Sequence, residues 1–319
     1  MSRRGWVLFT VMSIIWGVPY LLIKVADGGV QVPVLVLARV GVGAALLLPL
    51  ALRNRQFALL RPHWRWLLLF ACVEIILPWL LLSDAERHLS SSMSGLLIAS
   101  VPIIGVVLAK LTGGAERLTA LRWLGLLAGL AGVALLAGPG ALGGGVWPVA
   151  EVLLTALGYA IGPLIANRRL NDLPGLPVTA VCLTFAAVVY APLAALTWPS
   201  RMPSLSVLGA LAGLAVVCTA TAFILFFQLI AEIGAARATV ITYVNPAVAV
   251  ALGVAVLGEP ITPEIVAAFV LILAGSVLAT RSSRAAAAPA PVPAESGPPP
   301  AGQGGAAGPH RPLPLESRE

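Results

Sequence analysis

The chain has 319 residues, of which 59% are hydrophobic and only 10% are charged, with 20 Lys and Arg against 13 Asp and Glu. Soluble domains carry closer to a quarter of charged residues, so this composition excludes an ordinary soluble protein. The basic excess contains no Lys or Arg run and no alternation with aromatic residues, which indicates a lipid bilayer and no nucleic acid as a partner.

Stretches of about 20 apolar residues, the length that crosses one bilayer, recur along the whole chain up to residue 280. The expected fold class is therefore an all-α integral membrane protein. Arg3 and Arg4 precede the first stretch, but no small-residue cleavage site follows it, so we interpret it as a retained span and not as a secretory signal. The ten predicted membrane-spanning helices lie near residues 6–23, 33–52, 65–83, 90–109, 121–138, 147–166, 176–197, 205–229, 238–257 and 263–280.

Basic residues are distributed unevenly between the predicted loops. If the N-terminus is cytoplasmic, the outer loops hold only Lys24, Arg87 and Arg201, and most other Lys and Arg residues lie inside. The positive-inside rule favours this orientation, and an even number of spans returns the C-terminus to the cytoplasm. We expect a multi-pass protein of the bacterial inner (cytoplasmic) membrane. The tail, 281–319, is rich in Pro, Ala and Gly, and we expect it to be disordered.

The two halves of the chain show an internal repeat. A shift of 143 residues superimposes Glu116 on Glu259 and Gly132 on Gly275. We therefore predict two five-helix repeats, over 1–140 and 145–280. Because five is odd, two such units joined directly have opposite orientations in the membrane, which is the inverted-repeat architecture of alternating-access transporters.

Two of the charged residues inside the predicted spans, Arg39 and Glu74, lie well away from the span ends. Arg39 lies six residues into the second span, about 9 Å deep at about 1.5 Å per residue, where a charge costs roughly 2.5–3.5 kcal/mol. Glu74 lies near the middle of the third span, at a depth from which it could reach Arg39. One interpretation makes Arg39 an anchor for an anionic substrate group and Glu74 a proton-coupling residue, and the other makes them a buried structural ion pair.

Helix-breaking prolines mark a candidate path through the membrane. Pro102 in the fourth span and Pro246 in the ninth interrupt their helices at related positions, and broken helices near the midplane point to a transporter site. Ser94, Tyr243 and Asn245 could line this site, or they could serve helix packing alone.

Four further residues are candidates for the substrate path. Trp16, Tyr159 and Gln228 offer aromatic and amide contacts, although aromatic residues also form interfacial belts. Lys24, at the outer end of the first span, could contact substrate or direct its ammonium group to the interface. By contrast, Glu116 and Glu259 precede the last helix of each repeat, and we expect each to cap that helix.

Several of these residues form an ordered set of motifs, and together they resemble the EamA family of the drug/metabolite transporter superfamily over about residues 5–280. The resemblance implies a secondary carrier, commonly an exporter of amino acids, other small metabolites or drugs, with its path between the repeats. Cys182 stands where the second repeat would echo Arg39, so a central site should be asymmetric. The motifs are Trp16-Gly17, Lys24, Arg39, Ser94–Leu97 with Pro102, Gly234–Ala238, Asn245-Pro246 and Leu257–Thr262.

Other classes of function find less support in the sequence. His63, His88 and His310 lie in predicted loops or the tail, and the sequence contains no metal-binding motif, so we expect no metal, no cofactor and no intramembrane enzyme. Without a nucleotide-binding P-loop, transport of a small-molecule substrate would use a gradient, with protons as the first candidate. An importer or an exchanger of nucleotide sugars or phosphorylated sugars is the main alternative, and a monomer or a homodimer fits equally well.

Overall fold

The computed structural model describes residues 2–53, 56–112, 119–136, 145–234 and 238–280. In this part of the chain the regular structure is helical throughout and contains no strand. Nine helices are apolar and long enough to cross a membrane, and one more, of 17 residues, is apolar but shorter. The helices are α1 Arg3–Asp27, α2 Val32–Arg53, α3 Phe57–Ala85, α4 Ser91–Leu111, α5 Ala120–Leu136, α6 Val146–Leu170, α7 Gly175–Leu196, α8 Leu205–Ile233, α9 Val240–Leu257 and α10 Pro263–Thr280. The predicted disordered tail and Glu116 lie outside the described residues.

Three of these helices are interrupted, α1 and α4 near their centres and α9 near its start. In α4 the α-helix stops at Ile98 and resumes at Val101, next to Pro102, and in α9 a 3-10 segment precedes the α-helix that begins at Asn245. A third interruption, which we did not predict, separates Arg3–Ile15 from Pro19–Asp27 in α1. Each restart has proline in its first turn, where the missing N–H would have no partner in the helix anyway.

Side chains from neighbouring helices satisfy carbonyl groups that these interruptions leave free. Ser276 Oγ of α10 donates to the Ala99 carbonyl of α4 over 2.8 Å. The Asn245 amide, oriented so that both bonds form, donates to the Ile241 carbonyl at 2.9 Å and to the Ser13 carbonyl of α1 at 3.1 Å. Because lipid offers no hydrogen bonds to such groups, these contacts make the breaks stable at membrane depth.

Irregular turns also recur at the predicted repeat distance. A π-helical segment runs over Cys72–Ile76 in α3, and another runs over Gly213–Thr221 in α8. A shift of 143 residues places the first segment on 215–219, which lies inside the second. A third π-helical segment, Ala166–Leu170 in α6, maps onto an α-helical part of α1. The two halves therefore share a backbone defect in their third helices, which side-chain identity alone did not reveal.

The contacts between helices also follow the internal repeat. The main contacts join α2 to α7, α5 to α10, and the first part of α4 to α9. They also join α3 to α6 and α1 to α8. When each helix is replaced by its counterpart five helices away, every one of these pairs becomes itself or another observed pair. This is the packing expected of two structurally equivalent five-helix units.

Glycines bring the last helices of the two halves into backbone contact. A Cβ built on Gly275 of α10 would lie 2.6 Å from the carbonyl oxygen of Gly125 and 2.8 Å from the Cα of Gly129 in α5. A Cβ on Gly132 would lie 2.7 Å from Ile272 in return. Close approach of this kind drives helix association in lipid, where apolar burial contributes little.

A single methyl group should therefore weaken this interface. We predict that Gly275→Ala lowers the free energy of unfolding by about 1–3 kcal/mol, because the backbone of α5 must move away. Gly105→Ala in α4 is the matched control, since a Cβ there meets no atom within 4 Å and alanine favours the helix. Thermal unfolding of the purified protein in detergent would measure both, and equal stability of the two variants would contradict the prediction.

Candidate functional site

Arg39 is the charged centre of the buried part of the bundle. Its side chain on α2 is 7% exposed, and its guanidinium lies 3.6 Å from the centre of the Trp79 ring on α3. Arg39 Nε donates to Thr219 Oγ1 on α8 at 3.1 Å, and the Thr219 hydroxyl in turn donates to the Leu214 carbonyl at 2.9 Å. Arg39 therefore contacts both halves of the chain, at Trp79 of α3 in the first half and at Thr219, in the π-helical segment of α8, in the second.

Among the described residues, two tyrosines, Cys218 and Glu86 lie within electrostatic range of this guanidinium without a hydrogen bond to it. Tyr20 of α1 and Tyr159 of α6 lie close enough to Arg39 to interact with it electrostatically. Tyr20 is 6% exposed and contacts α4 at the position of Gly95, while Tyr159 also adjoins Trp79. A guanidinium stacked on one aromatic ring, with two tyrosines within electrostatic range, is a setting for an anionic group with apolar parts.

Glu74 lies in a different direction from Arg39. It belongs to the π-helical segment of α3, and its carboxylate abuts Gly162 of α6, where any Cβ would collide with it. Glu74 Oε2 is buried and has no hydrogen-bond partner among the described residues. Gly162 therefore provides the space that this carboxyl group occupies.

The proposed ion pair between Arg39 and Glu74 is absent from the described part of the chain. The salt bridge found there joins Arg87 to Asp27, over 2.8 Å. Arg39 contacts α3 at Trp79, five residues and about 7.5 Å along the axis from Glu74. Depth alone suggested the pair, but Glu74 faces α6, whereas Arg39 is held between α3 and α8.

A column of polar groups continues from Trp79 toward the end of α3. Trp79, Ser83 and Glu86 are spaced four and three residues apart, which places them on one face of a helix. Ser83 Oγ and both carboxylate oxygens of Glu86 are buried without hydrogen-bond partners in the described structure. Burial raises the pKa of Glu86 well above its usual range, and the nearby Lys24 only partly opposes this.

The turn after α3 and the first two residues of α4, together called turn 86–92, are held by contacts from two directions. Lys24 Nζ of α1 donates to the carbonyl oxygens of Glu86 and Leu89. Arg87 pairs with Asp27 and donates from Nη1 to Gln31 Oε1 at 3.1 Å. Lys24 thus holds the turn through the main chain of that turn, a contact that the sequence did not predict.

Glu259 holds the same turn from the other half of the chain. Its Oε1 accepts from Ser91 N at 2.7 Å, and its Oε2 accepts from Ser92 N at 3.0 Å and from the Ser92 hydroxyl. The expectation that Glu259 caps α10 was wrong, because it caps the N-terminus of α4, where its charge also complements the helix dipole. Thr262 caps α10 instead, accepting from Ile265 N at 3.4 Å.

The remaining path candidates are dispersed in the structure. Trp16 stands at the interruption of α1, where its ring lies 4.6 Å from that of Phe226. Gln228 is exposed on α8, and Tyr243 hydrogen-bonds Thr280 at 2.6 Å. None of these three shares a contact with Arg39 in the described structure.

Ser94 and Asn245 have different surroundings. Ser94 of α4 is fully buried, and its Oγ has no partner among the described residues. Asn245 uses its amide to join α9 to the interruption of α1, as described above. Of the predicted path residues, the structure brings together Arg39 and Tyr159, and it leaves Ser94 as a further unpartnered polar group.

Sequence reasoning missed Tyr20, Thr219 and Glu86. Tyr20 and Thr219 carried no signal, because a tyrosine or threonine in an apolar helix most often packs or bonds to its own backbone. Glu86 looked like an ordinary loop residue, although its spacing from Trp79 and Ser83 indicates that the three residues share one helix face. Within the described residues, no group of three or more His, Cys, Asp or Glu could hold a metal ion.

Comparison with known proteins identifies relatives over most of the chain. The sequence model of the EamA-like transporter family matches residues 3–138 and again residues 147–281. The chain is 30% identical over 257 residues to the uncharacterized inner membrane transporter YedA of Escherichia coli strain K12, covering 79% of this chain and 82% of YedA. It is 25% identical over 293 residues to the uncharacterized transporter YvbV of Bacillus subtilis strain 168, covering 89% and 94%.

A solved crystal structure shares the fold. It superimposes with a TM-score of 0.61 at 22% sequence identity, covering 88% of this chain and 98% of the other. At this identity the likeness concerns the fold alone. The helical bundle described above is therefore one that another chain also adopts.

The contact of Glu259 with α4 should keep Ser83 and Glu86 of α3 inaccessible to water-soluble reagents. We predict that Glu259→Ala raises the reaction rate of a cysteine introduced by Ser83→Cys, in a background without the native cysteines, at least several-fold toward a membrane-impermeant maleimide. Glu264→Ala, which removes an exposed carboxylate nearby in the sequence, should leave the rate unchanged. Equal rates in both variants would mean that Glu259 does not close this end of the bundle.

Proposed function

Because this chain belongs to the EamA-like transporter family, we propose that it is a secondary transporter exporting amino acids, other small metabolites or drugs across the bacterial inner membrane by alternating access. The chain is a membrane transporter of the EamA type, and its long apolar helices suit a multi-pass protein. The inner-membrane location follows the name of YedA. Substrate, direction and coupling are the parts that the proposal adds.

The proposed architecture has ten spans in two inverted five-helix repeats, with both termini in the cytoplasm. Three observations support two equivalent units. They are the shared offset of 143 residues, the related π-helical segments, and helix contacts that are preserved when each helix is replaced by its counterpart five helices away. An odd number of spans in each unit then requires opposite orientations. The distribution of Lys and Arg supports the orientation of the whole.

The observation that carries the proposal is a buried arginine without an acidic partner. Arg39 Nε binds Thr219, but its terminal nitrogens form no hydrogen bond or salt bridge to any described residue. A buried guanidinium strongly favours bidentate contacts to a carboxylate or phosphate. We infer that the anionic group of the transported solute provides them, with Trp79, Tyr20 and Tyr159 around its apolar part.

The polar contacts of turn 86–92 support a state closed at the proposed outer end. In the predicted orientation, Lys24, Arg87 and Glu259 all lie on the outer side, and their contacts join α1, α4 and the loop before α10. Release of a solute to the outside would require these contacts to open. Rocking of two repeats about a central site can achieve this.

The central arginine should be essential for transport. We predict that Arg39→Gln lowers efflux at least tenfold for any solute whose efflux depends on the wild-type protein. A sensitive bacterium expressing either form would be challenged with amino acids, their analogues and cationic drugs, and internal pools would be measured.

The matched control is Arg65→Gln, because Arg65 also lies over a tryptophan ring, 5.3 Å from that of Trp64, but is exposed. Protein levels would be compared by chromatography in detergent. If folded Arg39→Gln exports as well as Arg65→Gln, Arg39 is a structural residue and the proposed site must be abandoned.

Glu74 is the proposed proton-coupling residue. We predict that Glu74→Gln abolishes transport driven by a pH gradient in membrane vesicles while downhill exchange of the solute persists. The amide keeps the shape beside Gly162 but cannot bind and release a proton. Glu151→Gln, a buried carboxylate of α6 in the same bundle, is the control. Undiminished gradient-driven transport in Glu74→Gln would remove Glu74 from the mechanism.

A further inference from the structure

Glu86 is a buried carboxylate for which the described chain supplies no partner. Its residue exposure is 0%, and neither Oε1 nor Oε2 accepts a hydrogen bond from any described residue. An ionised carboxylate in such a place is strongly disfavoured unless a cation or several donors reach it. The proposed function does not use this residue.

The nearest cation does not fill this role. Lys24 Nζ donates to the main-chain oxygens of Glu86 and Leu89, and no salt bridge joins it to the Glu86 carboxylate in the described structure. Glu259 and Asp27 lie within electrostatic range of Glu86, but they are engaged with the turn and with Arg87, and Arg39 lies within range without forming a salt bridge to Glu86 in the described chain. A cationic group from outside the chain would therefore supply the direct partner that the Glu86 carboxylate lacks.

The geometry connects Glu86 to Arg39. Trp79, Ser83 and Glu86 share one face of α3, and the seven residues from Trp79 to Glu86 span about 10 Å. The Arg39 guanidinium lies on the Trp79 ring at one end, and Glu86 stands at the other, with the unpartnered Ser83 Oγ between them. Tyr20 interacts electrostatically with both Arg39 and Glu86, so it lies beside the same column.

We propose that Glu86 binds the cationic group of the transported solute while Arg39 binds its anionic group, so that the site selects a zwitterion. The inference rests on the proposed role of Arg39. A carboxylate within electrostatic range of Tyr20, on the helix face that also carries Trp79, is a favourable setting for an ammonium group. A zwitterion also matches the site without adding net charge, since one buried arginine and one buried glutamate face its two ends.

Matched ligand sets can test this. The purified protein in detergent would be titrated with phenylalanine, 4-aminobutanoate and 6-aminohexanoate, whose ammonium and carboxylate groups lie progressively farther apart, with the corresponding carboxylic acids that lack the amino group, and with the corresponding amines that lack the carboxylate. For at least one set we expect the zwitterion to bind the wild type at least tenfold more tightly than either relative. Glu86→Gln should remove this preference and leave the affinity for the carboxylic acid unchanged.

Two further variants keep the test decisive. Glu264→Gln, an exposed carboxylate on the same side in the proposed orientation, should behave as the wild type. Glu86→Asp should retain a preference for the zwitterion, and it replaces the glutamine variant if that variant does not fold.

The possible results separate this inference from the proposed function. If the carboxylic acids bind the wild type as tightly as the zwitterions, the Glu86 inference is wrong and the anion site at Arg39 stands. If Glu86→Gln weakens all ligands equally, Glu86 is structural and the inference is again wrong. If no ligand with a carboxylate binds the wild type, the proposed role of Arg39 fails first, and this inference fails with it.

Discussion

A guanidinium enclosed among helices, without a carboxylate beside it, is the constraint on which the rest of this structure depends. A charge within the membrane is costly, and the protein lowers that cost for Arg39 with an aromatic ring and a hydroxyl group instead of an opposite charge. Trp79 and Thr219 come from different halves of the chain. The site therefore exists only where the two halves meet, and movement of one half relative to the other would change it.

The broken and π-helical turns explain how polar groups can exist at this depth. An unbroken helix satisfies all of its backbone groups and offers none to a solute, whereas each interruption here exposes carbonyls that neighbouring side chains must bind. Ser276 and Asn245 bind such carbonyls at the breaks of α4 and α1. The same residues join the interruptions to neighbouring helices, so the polar groups at this depth and the packing around them have a common structural origin.

Much of the fold was predictable because lipid imposes simple rules on sequence. The apolar stretches predicted the helices, and Pro102 and Pro246 predicted two of the three interruptions. The break after Trp16 was missed although Pro19 marks it. The repeat also predicted that Glu259 has an important position, but proximity in sequence suggested α10, and the actual partner is α4, in the other half.

The candidate site was harder to predict than the fold. Sequence gives the depth of Arg39 and Glu74 but not the direction in which each side chain points, and a π-helical segment changes that direction within α3. Glu86 follows a helix end and would ordinarily be solvated, and only the turn packed around it explains its burial. For Arg39, Glu74 and Glu86, contacts between distant parts of the chain determine the direction or the burial of the side chain.

The most direct measurement is an experimental structure of the protein in lipid with a solute that it transports. The account predicts that the anionic group of the solute lies within hydrogen-bonding distance of the Arg39 guanidinium, with the remainder between Trp79, Tyr20 and Tyr159. A solute bound elsewhere, with Arg39 paired to an acidic residue of the chain, would contradict the central claim.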